Sequence, residues 1–309
     1  MYFHAINKIQ AFKGLAAHLG VSSLIAGAVM ISLSGVWVKV AHVAPSVSAF
    51  YRVFFGGIVL LGASLSRREL KRPVMRQLLS GLLCGFMFAA NLWLYHRSIQ
   101  YIGPGLGTIL PNFQVFILAA FGVLFLKEPL RRTYLLSLPM AFVGLFMIVG
   151  IQWSHLEHLY RIGVYYGLGG AICYAGFLLL LRKLQAEQMG VSFFYVLMMV
   201  SFATAIFLAA EIIVSAGSFL IPDLQSFWAL AALGLLSQSA GWILITNALP
   251  SVRASLSGLI LLLQPALAFV WDVWFFQRAT SPANWAGVGV ALAAIYLGMA
   301  GKRPAAAKR

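Results

Sequence analysis

Carboxylates are scarce in this sequence: Asp and Glu number 7 in 309 residues. Charged residues of both signs make up only 9%, against about 25% in a typical soluble domain. A soluble fold of this length could not cover its surface with so few polar groups. That excludes a soluble enzyme and a disordered chain. Cysteine is also scarce. Cys84 and Cys173 both fall inside apolar runs, so a disulfide-stapled secreted scaffold is excluded and both are expected to be small core residues. Metal-ligand clusters are lacking as well. His155, Glu157 and His158 sit close together in a short loop with no further ligand, and no metal or other cofactor is expected. The run Gly103-Pro104-Gly105-Leu106-Gly107 has no strand before it and the wrong spacing for a phosphate loop. It is expected to start a helix and let two helices approach closely. No Ser-His-Asp set can be assembled at one depth, so no catalytic residues are expected.

What the chain has is hydrophobic length. Apolar residues make up 61% and the mean hydropathy is +0.91. A helical span needs roughly 20 apolar residues, so ten would use about 200 of the chain. The expected fold is an all-α polytopic membrane protein with ten transmembrane helices. The apolar runs cover 22–42, 46–66, 77–98, 103–126, 133–150, 162–181, 191–213, 226–248, 253–276 and 282–300. Breakers such as Ala44-Pro45-Ser46, Gly103-Pro104-Gly105 and Pro250-Ser251 separate them. The run 133–150 is short and holds Pro139. Residues 1–20 are mixed in character and do not read as a cleavable signal. They are expected to lie flat on the membrane or to fray.

The net charge of +15 does not point to nucleic acid. Most of the 22 Lys and Arg lie in short clusters between alternate apolar runs, as the positive-inside rule requires. Both termini are then expected in the cytoplasm, consistent with an even number of spans. The short loops and the inner-side charge suit a bacterial inner membrane. The expected partners are a small-molecule substrate and the lipid bilayer, in a monomer or weak dimer.

A repeat emerges when the halves are overlaid. The runs 77–98, 103–126 and 133–150 fall on 228–248, 253–276 and 282–300 at a shift of about 150 residues. The registration lies in the ends of the runs, not in the letters. Gln114 meets Gln264, and Glu128 meets Arg278. Residues 1–150 and 151–309 are read as two five-helix repeats. Five is odd, so the second repeat inserts upside down, an architecture of transporters with a midplane site between the halves.

Ionisable groups inside a span are costly and mark function by default. Asp272 is the only carboxylate well inside one, and Glu211 is expected to reach the interface. Asp272 is read either as binding a substrate ammonium or a proton, or as pairing with Lys39, Arg52 or Arg97. Tyr95 and His96 lie near the outer end of the third run, where a cavity or an interfacial belt would use them. The amides Asn91, Asn112, Gln114, Gln238 and Gln264 lie near the midplane and need partners. They read as helix-to-helix glue singly, and as a shared polar cavity together. Pro111 and Pro265 would free carbonyls at the same depth. Trp37, Tyr174, Trp242 and Trp271 could stack on an apolar or aromatic substrate.

The segments Gln114-Val115-Phe116 through Phe125-Leu126-Lys127-Glu128-Pro129-Leu130, then Gln264-Pro265-Ala266 and Trp285-Ala286-Gly287, resemble the drug/metabolite transporter superfamily in its EamA-type branch. Val115 stands where that family usually has proline, Gln264 where it commonly has Glu, and Arg278 where a second Glu is common. The resemblance implies an exporter of amino acids and related metabolites, aromatic or neutral, working by alternating access, with the third helix lining the pathway. Sugar phosphates, nucleotide sugars and lipophilic cations stay open as substrates. A phosphate carrier would present an unpaired Lys39, Arg52 or Arg97. Facilitation and proton coupling both stay open. An intramembrane enzyme or a membrane scaffold is the lesser alternative.

Overall fold

The computed structural model describes residues 19–69, 75–149, 158–186 and 192–300, without the side chains of 103–106 and 158. Residues 1–18, His155, Glu157, the side chain of His158 and the basic tail from 301 lie outside what it describes. Among the described residues ten helices are long and apolar enough to cross a membrane. They are α1 (Leu19–Val40), α2 (Pro45–Ser66), α3 (Met75–Ile102), α4 (Gly107–Leu124), α5 (Arg132–Val149), α6 (Leu159–Ala186), α7 (Phe193–Val214), α8 (Leu224–Ala248), α9 (Ala254–Phe276) and α10 (Pro282–Met299). The expected ten-span membrane fold is therefore present.

Local chemistry fixes several starts. Pro45 and Pro282 occupy the first turns of α2 and α10, where a missing N–H costs nothing. Ser281 and Asn284 add a reciprocal capping box to α10. The Asp223 carboxylate accepts from Ser226 N–H at 2.6 Å and caps α8. Pro139 sits inside α5 without ending it. Ends are also marked. Among the described residues four that are not glycine have left-handed backbone: Arg68, Lys127, Ala216 and Gln277. They follow α2, α4, α7 and α9, so both copies of the second and fourth helices stop in the same way.

One expected loop is absent. The helical backbone continues from α3 through Gly103-Pro104-Gly105 to Ile109. The chain nevertheless reverses there, because a Cβ on Gly107 would lie 3.1 Å from Ile99 Cα. The glycine gives the close approach expected of it, within a sharply bent helix.

Packing follows the repeat. α2 packs on α7, α4 on α9 and α5 on α10, each helix against its own counterpart. α3 packs on α6, and its equivalent, α8 on α1, is tied by Ser23 Oγ donating to Leu244 O at 3.0 Å. Lipid supplies no hydrophobic drive between helices, so small residues and close backbones must. One close seam is α5–α10. A Cβ on Gly144 would stand 2.6 Å from Ala291 N, and one on Gly287 2.7 Å from Gly144 O. Cys84 and Cys173 are free.

Candidate functional site

A cavity of about 610 Å³ opens between the two halves. α1–α6, α8 and α9 line it, while α7 and α10 stand outside. Its wall includes the places where α4 and α9 are interrupted. In α4 a short 3-10 turn runs over Leu110–Phe113, around Pro111. In α9 the α-helix stops at Leu261 and resumes at Leu263, with Pro265 in the next turn. The two breaks coincide in the overlay of the halves.

The floor is aromatic. Phe88 stacks on Phe177 at 4.4 Å, and Trp242 meets both edge-on at 5.6 and 4.9 Å. Tyr174 stacks on Phe177 at 6.2 Å. The walls are polar in patches. Asn91 donates to Gly170 O at 3.0 Å and Asn112 to Thr108 O at 2.7 Å, and both line the cavity. Tyr174 lies beside Gln264 and near Arg52. Arg52 Nε donates to Gln238 Oε1 at 3.3 Å, and Gln238 Nε2 donates to Ser201 Oγ at 3.1 Å.

The mouth holds an ion triad. Lys39 bonds to one oxygen of Asp272, and Arg278 donates to the other at 3.4 Å. The Lys39 ammonium also lies over Phe276, and the Arg278 guanidinium over Phe269. Of the partners expected for Asp272, Lys39 is found. Arg52 and Arg97 are not, and Arg278 takes their place. Arg97 instead lies over Trp93 and donates to Gln100.

The opposite end of α9 is closed by Glu128, from the α4–α5 loop. Its carboxylate accepts from the backbone N–H of Ala254 at 2.8 Å and of Ser255 at 3.2 Å, and from Ser255 Oγ at 2.7 Å. An anion on a helix N-terminus satisfies orphan donors and complements the dipole. Arg253 donates to Pro129 O, Tyr134 to Ser255 O and Arg182 to Val252 O around it. The cavity is thus open at the Asp272 end, and Glu128 ties the α4–α5 loop to the start of α9 at the other.

Seven of the residues singled out in the sequence meet in this cavity: Asn91, Tyr95, Asn112, Tyr174, Trp242, Gln264 and Asp272. Five do not. Gln114 is fully buried and donates to Gly258 O at 3.4 Å, joining α4 to α9. Gln238 stands behind Arg52. Trp271 donates its indole N–H to Ser32 Oγ at 2.8 Å, between α9 and α1. Trp37 packs in a small separate cluster around Leu230 and Leu233. His96 lies beside Tyr95 but off the cavity wall. The sequence reading missed Arg278 as a wall residue and Glu128 as a clamp. Both sit in loops, where only their place in the repeat marked them.

The profile of the EamA-like transporter family matches residues 18–150 and again 161–299. An uncharacterized transporter of Haemophilus influenzae is 26% identical over 147 residues, which is 45% of this chain. The chain spans about half, 48%, of that relative's length. One solved crystal structure superposes with TM-score 0.76 at 16% identity, over 92% of this chain and 98% of that one. At that identity the likeness concerns the fold alone.

Proposed function

The chain belongs to the EamA-like transporter family, and from that premise we propose that it exports a small amphipathic metabolite by alternating access. An amino acid with an aromatic or apolar side chain is the proposed substrate. The observation that carries this is the cavity's division into an aromatic floor and amide-bearing walls. Phe88, Trp242 and Tyr174 would meet the side chain, and Asn91, Asn112 and Gln264 the polar groups. A cavity open at one end and clamped by Glu128 at the other is one state of such a cycle. The proposed setting is a bacterial inner membrane with both termini cytoplasmic, which places the open mouth outside. A role in catalysis finds little support, since Asp272, the one carboxylate on the cavity wall among the described residues, is engaged by two cations.

A second reading, transport of organic anions such as sugar phosphates, is favoured by Arg52. It lines the cavity with no carboxylate partner among the described residues. Lipophilic cations are disfavoured by Lys39, Arg52 and Arg278 on the wall.

Uptake into proteoliposomes separates the readings. Labelled phenylalanine, threonine and glucose 6-phosphate are supplied with and without a proton gradient. Saturable phenylalanine uptake is expected. Sugar-phosphate uptake without amino-acid uptake would overturn the proposal, and dependence on the gradient would establish proton coupling.

A further inference from the structure

Arg52 is half-buried on α2 and faces the cavity. A cation within a membrane span must find compensation. The other cations of the wall have it: Lys39 and Arg278 share Asp272 at the exposed mouth. Arg52 has an amide and a phenol beside it and no carboxylate partner among the described residues. Its Nε is held by Gln238 Oε1, itself fixed by Ser201. Its terminal nitrogens have no hydrogen bond within the described residues. The guanidinium is therefore oriented through one nitrogen and free at the other two.

The surrounding groups are short of acceptors. Gln264 and Trp242 line this cavity, and their buried Nε2 and indole N–H have no hydrogen-bond partner among the described residues. Trp242 is 1% exposed. A carboxylate accepts only, and matches a guanidinium fork through two parallel bonds. A site with one uncompensated positive charge fits one such group. A phosphate dianion would carry a second negative charge to Arg52, and the other cations of the described wall, Lys39 and Arg278, are already paired with Asp272.

We infer that Arg52 is the anion anchor of the cavity, taking the single carboxylate of the solute on its two terminal nitrogens, with Gln238 as the positioning residue. The inference deepens the amino-acid reading above by naming the group recognised and the residue that recognises it. It also places the solute's carboxylate at Arg52 rather than its ammonium at Asp272.

The test is binding to the purified full-length protein in detergent, by calorimetry. The probes are phenylalanine, 3-phenylpropionate (no amine), phenethylamine (no carboxylate) and phenyl phosphate. The expected result is that the two carboxylates bind and phenethylamine does not. Arg52→Gln should weaken the carboxylates about tenfold or more, a loss on the scale of a charge-assisted bidentate pair. Arg52→Lys should weaken them less, because it keeps the charge and loses the fork. Phenethylamine binding as tightly as phenylalanine would overturn the anchor and leave the amino-acid reading standing. So would carboxylate affinity unchanged in a monodisperse Arg52→Gln. Arg52-dependent binding of 3-phenylpropionate without phenylalanine would uphold the anchor and remove the amino-acid reading. Preference for phenyl phosphate overturns the carboxylate assignment, and no binding of any probe overturns both. If Arg52→Gln fails to fold, Arg52→Lys decides, and unchanged affinity there overturns the two-nitrogen geometry.

Discussion

Neutralising Asp272 leaves Lys39 and Arg278 facing each other across the mouth. The side chains of both are more than one-third exposed, at 52% and 42%, so solvent screens the pair. Asp272→Asn is expected to cost no more than about 1 kcal/mol and to keep most of the transport activity. Abolished uptake in a protein that still unfolds near the wild-type temperature would put Asp272 back in the substrate site. Glu128 is the opposite case. It is nearly buried and satisfies three donors. Glu128→Ala leaves the N–H groups of Ala254 and Ser255 without acceptors and is expected to cost about 3 kcal/mol, read as a lower thermal midpoint. Asp223 gives a pH signature. The Ser226 backbone N–H, and then His42, hold its carboxyl below the usual range. A lowered value means the cap's contribution is complete above the ordinary carboxylate range, about 4, and is lost as pH falls through the lowered value. Asp223→Ala should remove that part of the acid sensitivity, measured as the thermal midpoint between pH 6 and pH 3.

At the scale of the helix, the four left-handed residues show how the repeat is written. None of them is glycine, and such a backbone costs a residue with a Cβ about 1–2 kcal/mol. Ala216 follows α7 with its N–H bonded to Ile213 O, and Gly217 N–H bonded to Ile212 O. Ala216→Gly keeps those bonds and relieves the backbone. It is expected to stabilise by roughly 0.5–1 kcal/mol, after allowance for the freer unfolded chain. Helix positions were legible because runs of apolar residues and their breakers have a length the bilayer dictates. The mid-helix breaks in α4 and α9 were legible through Pro111 and Pro265. Which face a polar residue occupies was not. Gln114 and Asn112 are two residues apart, yet one ties α4 to α9 and the other lines the cavity. In helices apolar all round, the usual contrast between a wet and a dry face is missing. Arg278 escaped for a related reason. The left-handed turn at Gln277 folds the chain back, so a loop residue reaches the carboxylate six positions before it.

For the molecule as a whole, the open mouth and the clamped far end define what transport must change. Lys39 on α1 and Asp272 on α9 bridge helices from the two halves at the mouth. Lys39→Cys with Asp272→Cys, in a background of Cys84→Ser and Cys173→Ser, should react with a short bis-maleimide. The product is expected to lose uptake while each single-cysteine protein keeps it. Full activity after complete crosslinking would show that the mouth does not move in the cycle. The two-fold pairing of helices was foreshadowed by the overlay of run ends, because inverted halves must share an axis. The pairing of particular side chains across that axis rests on packing that no single run of sequence contains.

The seam between α5 and α10 also sets an order of events. Gly144 belongs to a helix finished by Val149, whereas its partner surface, Gly287 to Ala291, lies on the tenth of the described helices and is made much later. Synthesis proceeds at about 5–20 residues per second. The first half therefore waits on the order of ten seconds, while roughly 140 residues are added, with this close-packing face covered by lipid or by an insertion factor. Lesions in α10 should accordingly show themselves in how much protein survives quality control, before they show themselves in how fast the survivors work.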